Sequence, residues 1–186
     1  MGAVGLFGKR GSAPSGAFWT VPPIRGGASD LYHYGVQCFS QDMGRPMMQT
    51  GWALWQMEAL HRHQTADFLR DGYRLWEQHD GPSASERLAF LQAVFTRLEG
   101  SNPGLPGDPW SLPPEVVEPV NAHYAMRCWA TSLILELLGS AHPDLAGFQG
   151  RAYAALASTP RAFVTPRATA DAATLAAALG KPNPFG

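Results

Sequence analysis

The chain has 186 residues, 45% of them hydrophobic and only 16% charged, with a formal net charge of -1. That balance is the reverse of a disordered chain's, and the length suits one domain with a real core. With no basic excess to neutralise phosphates, nucleic acid is excluded as a main partner.

The charge that is present is biased in kind. Twelve of the fourteen basic residues are Arg, Lys9 and Lys181 being the exceptions, and six Trp, nine Phe, five Tyr and six Met accompany them. Interfaces are enriched in aromatics, Met and Arg and depleted in Lys. Part of this surface is therefore expected to be buried in a partner protein or in a copy of itself. Two cysteines, Cys38 and Cys128, are too few for a disulfide scaffold and read as buried free thiols in a reducing compartment. No apolar leader follows Lys9 and Arg10, and the reading is cytoplasmic.

Residues 1–29 read as an extended Gly/Pro-rich arm. Gly at 2, 5, 8, 11, 16, 26 and 27, with Pro at 14, 22 and 23, breaks any helix or strand period. Phe18, Trp19 and Ile24 could anchor the arm in a groove and are taken as partner-binding residues, together with Trp110. Residues 30–180 read as the helical domain and 181–186 as an unstructured tail.

Residues 30–43 read as a helix capped by Ser29 and stopped by Gly44 and Pro46, with Leu31, Tyr34 and Cys38 on one face. A strand is the alternative, since Tyr32, Tyr34, Val36 and Cys38 also alternate. Residues 46–79 read as one long helix, with Trp52, Trp55, Leu69, Tyr73 and Trp76 recurring at threes and fours and a bend near Gly72. Residues 84–99 carry Ser83 and Glu86 at capping-box spacing, with Gly100 as the stop.

The Pro-rich loop 101–113 is long enough to suspect of function. The helix within 114–138 is expected to begin at Pro119 and to be central, because Arg127 and Glu136 are its only full charges from Val120 to Leu138 and lie on opposite sides. The span Pro119–Leu138 approaches bilayer length but contains Asn121, His123, Arg127 and Glu136, so no membrane span is expected. Helices at 143–157 and 170–179 complete an all-α reading: an irregular bundle of about five or six helices.

No motif identifies a reaction. Glu58-Ala-Leu-His61 has the Glu-x-x-His spacing of a di-metal bundle, but the second pair that site requires is missing, His123 lying five residues after Glu118. Glu58, His61 and His123 remain the candidate metal ligands against a reading as solvated or core residues, and no cofactor is predicted. His63 and Asp67, four apart, read as a surface pair. The aromatic group Trp52, Trp55, Tyr73, Trp76, Tyr124 and Trp129 could line a pocket, but helical spacing favours core. The expected function is a non-catalytic assembly or protein-interaction subunit. The alternatives are a helical enzyme or cofactor-binding protein with an aromatic-lined pocket, and a small regulatory or inhibitory protein.

Overall fold

A computed structural model describes residues 24–57, 62–101, 103, 107–137 and 145–186. Among them the chain is all-helical and strand-free. Seven α-helices run in order: α1 Ala28–Ser40, α2 Gly44–Gln56, α3 Arg62–Asp80, α4 Ala84–Gly100, α5 Pro114–Leu137, α6 Leu145–Ala157 and α7 Pro166–Leu179. Short 3₁₀ turns at Pro109–Ser111 and Arg161–Phe163 punctuate the links before α5 and α7.

Two of these helices replace the long helix expected over 46–79. The break falls between Gln56 and Arg62, not near Gly72, and α2 and α3 fold back on each other as an antiparallel hairpin. Small residues make the close fit possible. A Cβ on Gly51 would sit 2.7 Å from Leu69 Cα, and one on Gly44 would sit 2.5 Å from the Leu75 carbonyl carbon and from Trp76 Cα. Gly72 meets the Met48 backbone in the same way, its Cβ position 2.7 Å from Met48 N. The two backbones approach closely enough to leave no room for side chains there.

Gly44 was expected to stop the first helix and instead opens the second. The turn between them is made by Asp42, which adopts the left-handed conformation at φ 54°, as a short polar side chain can. Ser29 is not the cap of α1 either: that helix starts at Ala28 behind Gly27, without a side-chain cap.

The main core is built by α2 through α7, with Trp76, Leu69, Phe90, Phe95, Met126 and Ile134 all 1% exposed or less. Tyr73 stacks on Phe90 at 5.1 Å and meets Trp76 and Trp129 edge-on at 5.6 and 5.4 Å. α5 touches α3, α4, α6 and α7, which is why its sequence needs no continuous polar face. It begins at Pro114, not at Pro119. Proline at 119 forfeits one ladder bond, to the carbonyl of Glu115 near an exposed end, and the helix continues through it.

Local chemistry explains the remaining ends. Ser83 Oγ accepts from Glu86 N, and Glu86 in turn accepts from Ser83 N at 3.0 Å, a reciprocal capping box on α4. α7 starts four residues before the expected 170, because Thr165 Oγ1 accepts from Ala168 N at 3.1 Å and Pro166 fits the first helical position. Gly180, at φ 61°, closes it. The tail after it has no helix but is not detached: the Tyr153 hydroxyl donates to Pro182 O at 2.8 Å, Lys181 lies over the Tyr153 ring, and Phe185 packs on the core.

Candidate functional site

Among the described residues, three of the six large apolar side chains that stand exposed lie on α1 and in the turn after it. At about 100° per residue, Leu31, Gly35 and Cys38 share one side, and these three are the buried residues of the helix. Tyr32, Val36 and Phe39, spaced four and three apart, form a second apolar row about a quarter-turn round. Tyr32 is half-buried against Phe68, ring centroids 5.5 Å apart. Val36 is 42% exposed and Phe39 46%, and Met43 in the turn beyond is 39% exposed. The polar side chains Ser29, Asp30, His33 and Gln37 occupy the remaining arc, all exposed. A helix with one apolar row against its own fold and another facing outward is more than scattered exposure.

Clefts with polar side chains in their walls lie elsewhere, the most open of them, about 290 Å³, between His63 and the start of α5 at Pro114, Val117, Glu118 and Asn121. A smaller one, about 40 Å³, is lined by Trp55, Thr65, Arg97, Ser101, Pro119 and His123. It has room for about three water molecules. Arg97 donates to Trp55 O and lies over the Trp55 ring at 4.8 Å, tying α4 to the end of α2. His123 is 8% exposed and meets the Tyr124 ring edge-on at 5.3 Å.

A third cleft, about 220 Å³, lies where α4, α5 and α6 meet and is lined by Arg127, Arg151, Glu99 and Ser158 over Phe95 and Leu98. Arg151 chelates Glu99 through two 2.9 Å bonds. Arg127, 4% exposed, donates to Ser158 Oγ at 3.0 Å and reaches Ala155 O at 3.5 Å. Burial lowers the Arg127 pKa, and the negative end of α6 offsets part of that desolvation. Its placement is that of a helix C-cap.

A chain of polar groups also runs across one side of the bundle. The Tyr73 hydroxyl accepts from Arg87 Nε at 2.9 Å, Arg87 pairs with Glu77 at 2.7 Å, and Glu136 lies 3.9 Å from both Arg87 and Arg167. Arg167 pairs with Asp171 at 3.0 Å, and Ser132 Oγ donates to Asp171 at 2.5 Å. Burial holds the Tyr73 hydroxyl protonated by raising its pKa. Burial would lower the Arg87 pKa, but Tyr73, Glu77 and Glu136 raise it on balance. Ser132 bonds a carboxylate directly, without the imidazole that would activate a hydroxyl; the row ties α3, α4, α5 and α7 together.

The sequence-predicted site residues are scattered. Phe18, Trp19, Glu58 and His61 lie outside the described residues. Ile24 is half-buried and packs beside Leu31, Ala53 and Leu54 of its own chain. Trp110 stands 82% exposed on the 3₁₀ turn capped by Asp108. His123 lines the smaller cleft, and no group of three or more His, Cys, Asp or Glu side chains with metal-site geometry occurs among the described residues.

His63 and Asp67 do pair, at 3.2 Å. Trp52, Tyr73, Trp76 and Trp129 all pack on Phe90, and Trp55 borders the smaller cleft. Cys38 and Cys128 are buried free thiols, with burial raising both pKa values, the opposite of what a nucleophile needs. Sequence reasoning passed over Val36, Phe39 and Met43. Their signal was present: a second apolar row at helical spacing beside the Leu31–Cys38 row.

Compared with known proteins, the chain matches no known family, no curated protein and no solved structure. No helix among the described residues is long and apolar enough to cross a membrane.

Proposed function

We propose that this chain is a non-catalytic assembly or protein-interaction subunit whose recognition surface is the outward row of α1. One observation carries the reading: Val36 and Phe39 continue on α1 the row that Tyr32 begins, and they and Met43, in the turn after the helix, are each about two-fifths exposed. Burying such a row removes apolar surface from water, the main favourable term in protein association. The composition, rich in Arg and aromatics and poor in Lys, supports the same reading. So do the polar groups described above, which cap helices, tie them to one another or pair at the surface. In the reducing cytoplasm, where we place the protein, Cys38 and Cys128 would remain thiols.

The test is photocrosslinking in the source cell. A benzophenone amino acid at position 39 should give one adduct of defined mass, while the same group at Gln37, on the polar arc, should give none. Equal labelling at both positions, or no intermolecular adduct from position 39, would remove α1 as a recognition surface.

A further inference from the structure

We infer that α1 is a hinged flap: it swings off the α2–α3 hairpin as a unit while α2 through α7 stay folded, uncovering Cys38 and the apolar seam beneath it. The inference does not depend on α1 being a recognition surface.

Polar ties are the first argument. Each of the other six helices is joined to a neighbour by its side chains. Arg45 of α2 pairs with Glu86 of α4, and Arg87 of α4 donates to Tyr73 of α3. Arg151 of α6 pairs with Glu99 of α4, and Ser132 of α5 donates to Asp171 of α7. Among the described residues, no side chain of α1 makes a hydrogen bond or ion pair to another helix. Ser40 donates to Gln37 O and Tyr34 pairs with Cys38, both within α1 itself.

Apolar packing is the second argument. The buried side of α1 enters two small clusters, Leu31 with Ala53 and Leu54, and Cys38 with Met47 and Leu75. Tyr32, Tyr34 and Phe68 edge them. Both clusters are separate from the main core, which takes Met48, Trp52 and Trp55 from α2. The remaining buried residue of α1, Gly35, has no side chain to contribute. A segment with few buried apolar contacts and no polar tie opens at a lower free energy than the body it rests on.

The ends of α1 permit the motion. Its amino-terminal end follows Gly26 and Gly27 and has no side-chain cap. At the other end the turn 41–43 serves as the pivot. Met43 N donates to Cys38 O at 2.9 Å and Asp42 N to Phe39 O at 3.1 Å, so these bonds close α1 without fastening it to another helix.

The two free thiols supply a comparison within one molecule. Cys38 is 2% exposed and Cys128 7%. Burial raises both pKa values, so a reagent reaches each thiol through an open state. Ranked by exposure alone, Cys128 is the faster; a flap reverses that order. The full native chain is treated with an aromatic disulfide reagent, in the range where rate is proportional to reagent, and peptide mass spectrometry assigns the sites. Cys38 should react at least about tenfold faster than Cys128. Leu31→Ala should speed Cys38 by a further tenfold or so and leave Cys128 unchanged. Hydrogen exchange of the unsubstituted chain gives a second reading: the amides of 32–40 should exchange about tenfold or more ahead of those in α4 and α5. Cys128 reacting as fast as Cys38, Leu31→Ala speeding both thiols alike, or equal protection of α1 and α4 would each overturn the inference, because α1 would then open only when the whole chain unfolds.

Discussion

The α2–α3 hairpin and helix α1 solve the same problem in opposite ways. In the hairpin, side chains have been removed so that two backbones can touch: Gly44, Gly51 and Gly72 each face the other helix where a Cβ would come within 2.5 to 2.7 Å of its backbone. On α1, side chains have been kept and turned outward, leaving Val36 and Phe39 in water. The first arrangement gains dispersion contacts that only a close fit provides. The second leaves apolar area for which the described fold has no partner. The contrast separates residues that hold the fold from residues that are free to serve something else, and it can be tested one side chain at a time.

The largest effect is expected in the hairpin. Gly51→Ala puts a methyl group 2.7 Å from Leu69 Cα and 3.0 Å from Leu69 N. The obstruction is backbone, so the helices must separate, at a cost of about 3 kcal/mol. For a chain this long, that lowers the thermal midpoint by roughly 6 to 12 °C in a calorimetric scan. Gly150→Ala is the matched control. Gly150 lies inside α6 with nothing within 4 Å of its Cβ position, and alanine there should raise stability by about 0.5 to 1 kcal/mol. If both variants moved the midpoint equally, close approach would not be what the hairpin glycines provide.

The hairpin also marks where the sequence was readable. The apolar period through Trp52, Trp55, Leu69, Tyr73 and Trp76 is continuous, and both helices carry it, so helix type and buried face were legible. The reversal was not, because no Pro or Gly stands between Gln56 and Arg62. Gly72 drew attention as a bend for the same reason: a glycine's role in letting a distant backbone approach looks, in one dimension, like a local weakness. Caps were legible where the side chain acts within three residues, as at Ser83 and Glu86. The start of α5 was misplaced because Pro119 signals a break that a stable helix can absorb. For the recognition surface, periodicity identifies Tyr32, Val36 and Phe39 as a row, but which of two rows faces inward depends on where α2 and α3 lie. Trp110 and Ile24, chosen for their size, have opposite exposure in the fold for that reason.

Next in size is the polar tie beneath α7. Asp171 is 5% exposed and holds both Ser132 and Arg167. Asp171→Ala removes the acceptor of Arg167 Nε and leaves the Ser132 hydroxyl only its bond to Cys128 O at 3.2 Å, and should cost about 1 kcal/mol in a urea titration. No change in midpoint would mean that the bond to Cys128 O suffices and that apolar packing holds α7.

The α4 cap is similar in size. Ser83→Ala removes the acceptor for Glu86 N and should cost about 1 kcal/mol. The bond from Ser83 N and the guanidinium of Arg45 at 2.9 Å together hold the Glu86 carboxyl below its ordinary pKa. A carboxylate with a depressed folded pKa stabilises above its unfolded value of about 4.3 and loses that contribution as pH falls through the folded one. Stability measured from pH 6 down to pH 3 should therefore decline less steeply in Glu86→Gln than in the parent chain. An identical acid slope would show that the capping carboxylate is not linked to folding.

The smallest stability effect is expected where the comparison began. Phe39 is 46% exposed and takes no part in the buried clusters of α1, whereas Leu31, one face away, is 8% exposed and packs on Ala53 and Leu54. Phe39→Ser should change the unfolding free energy by no more than about 0.5 kcal/mol. Leu31→Ala should cost about 2 kcal/mol or more. The two substitutions lie on the same helix and each shortens a large apolar side chain, so propensity differences are minor beside the burial term. A loss from Phe39→Ser as large as that from Leu31→Ala would mean that Phe39 already rests against its own chain in solution. The outward row would then belong to the core, and the distinction between the hairpin and α1 would collapse.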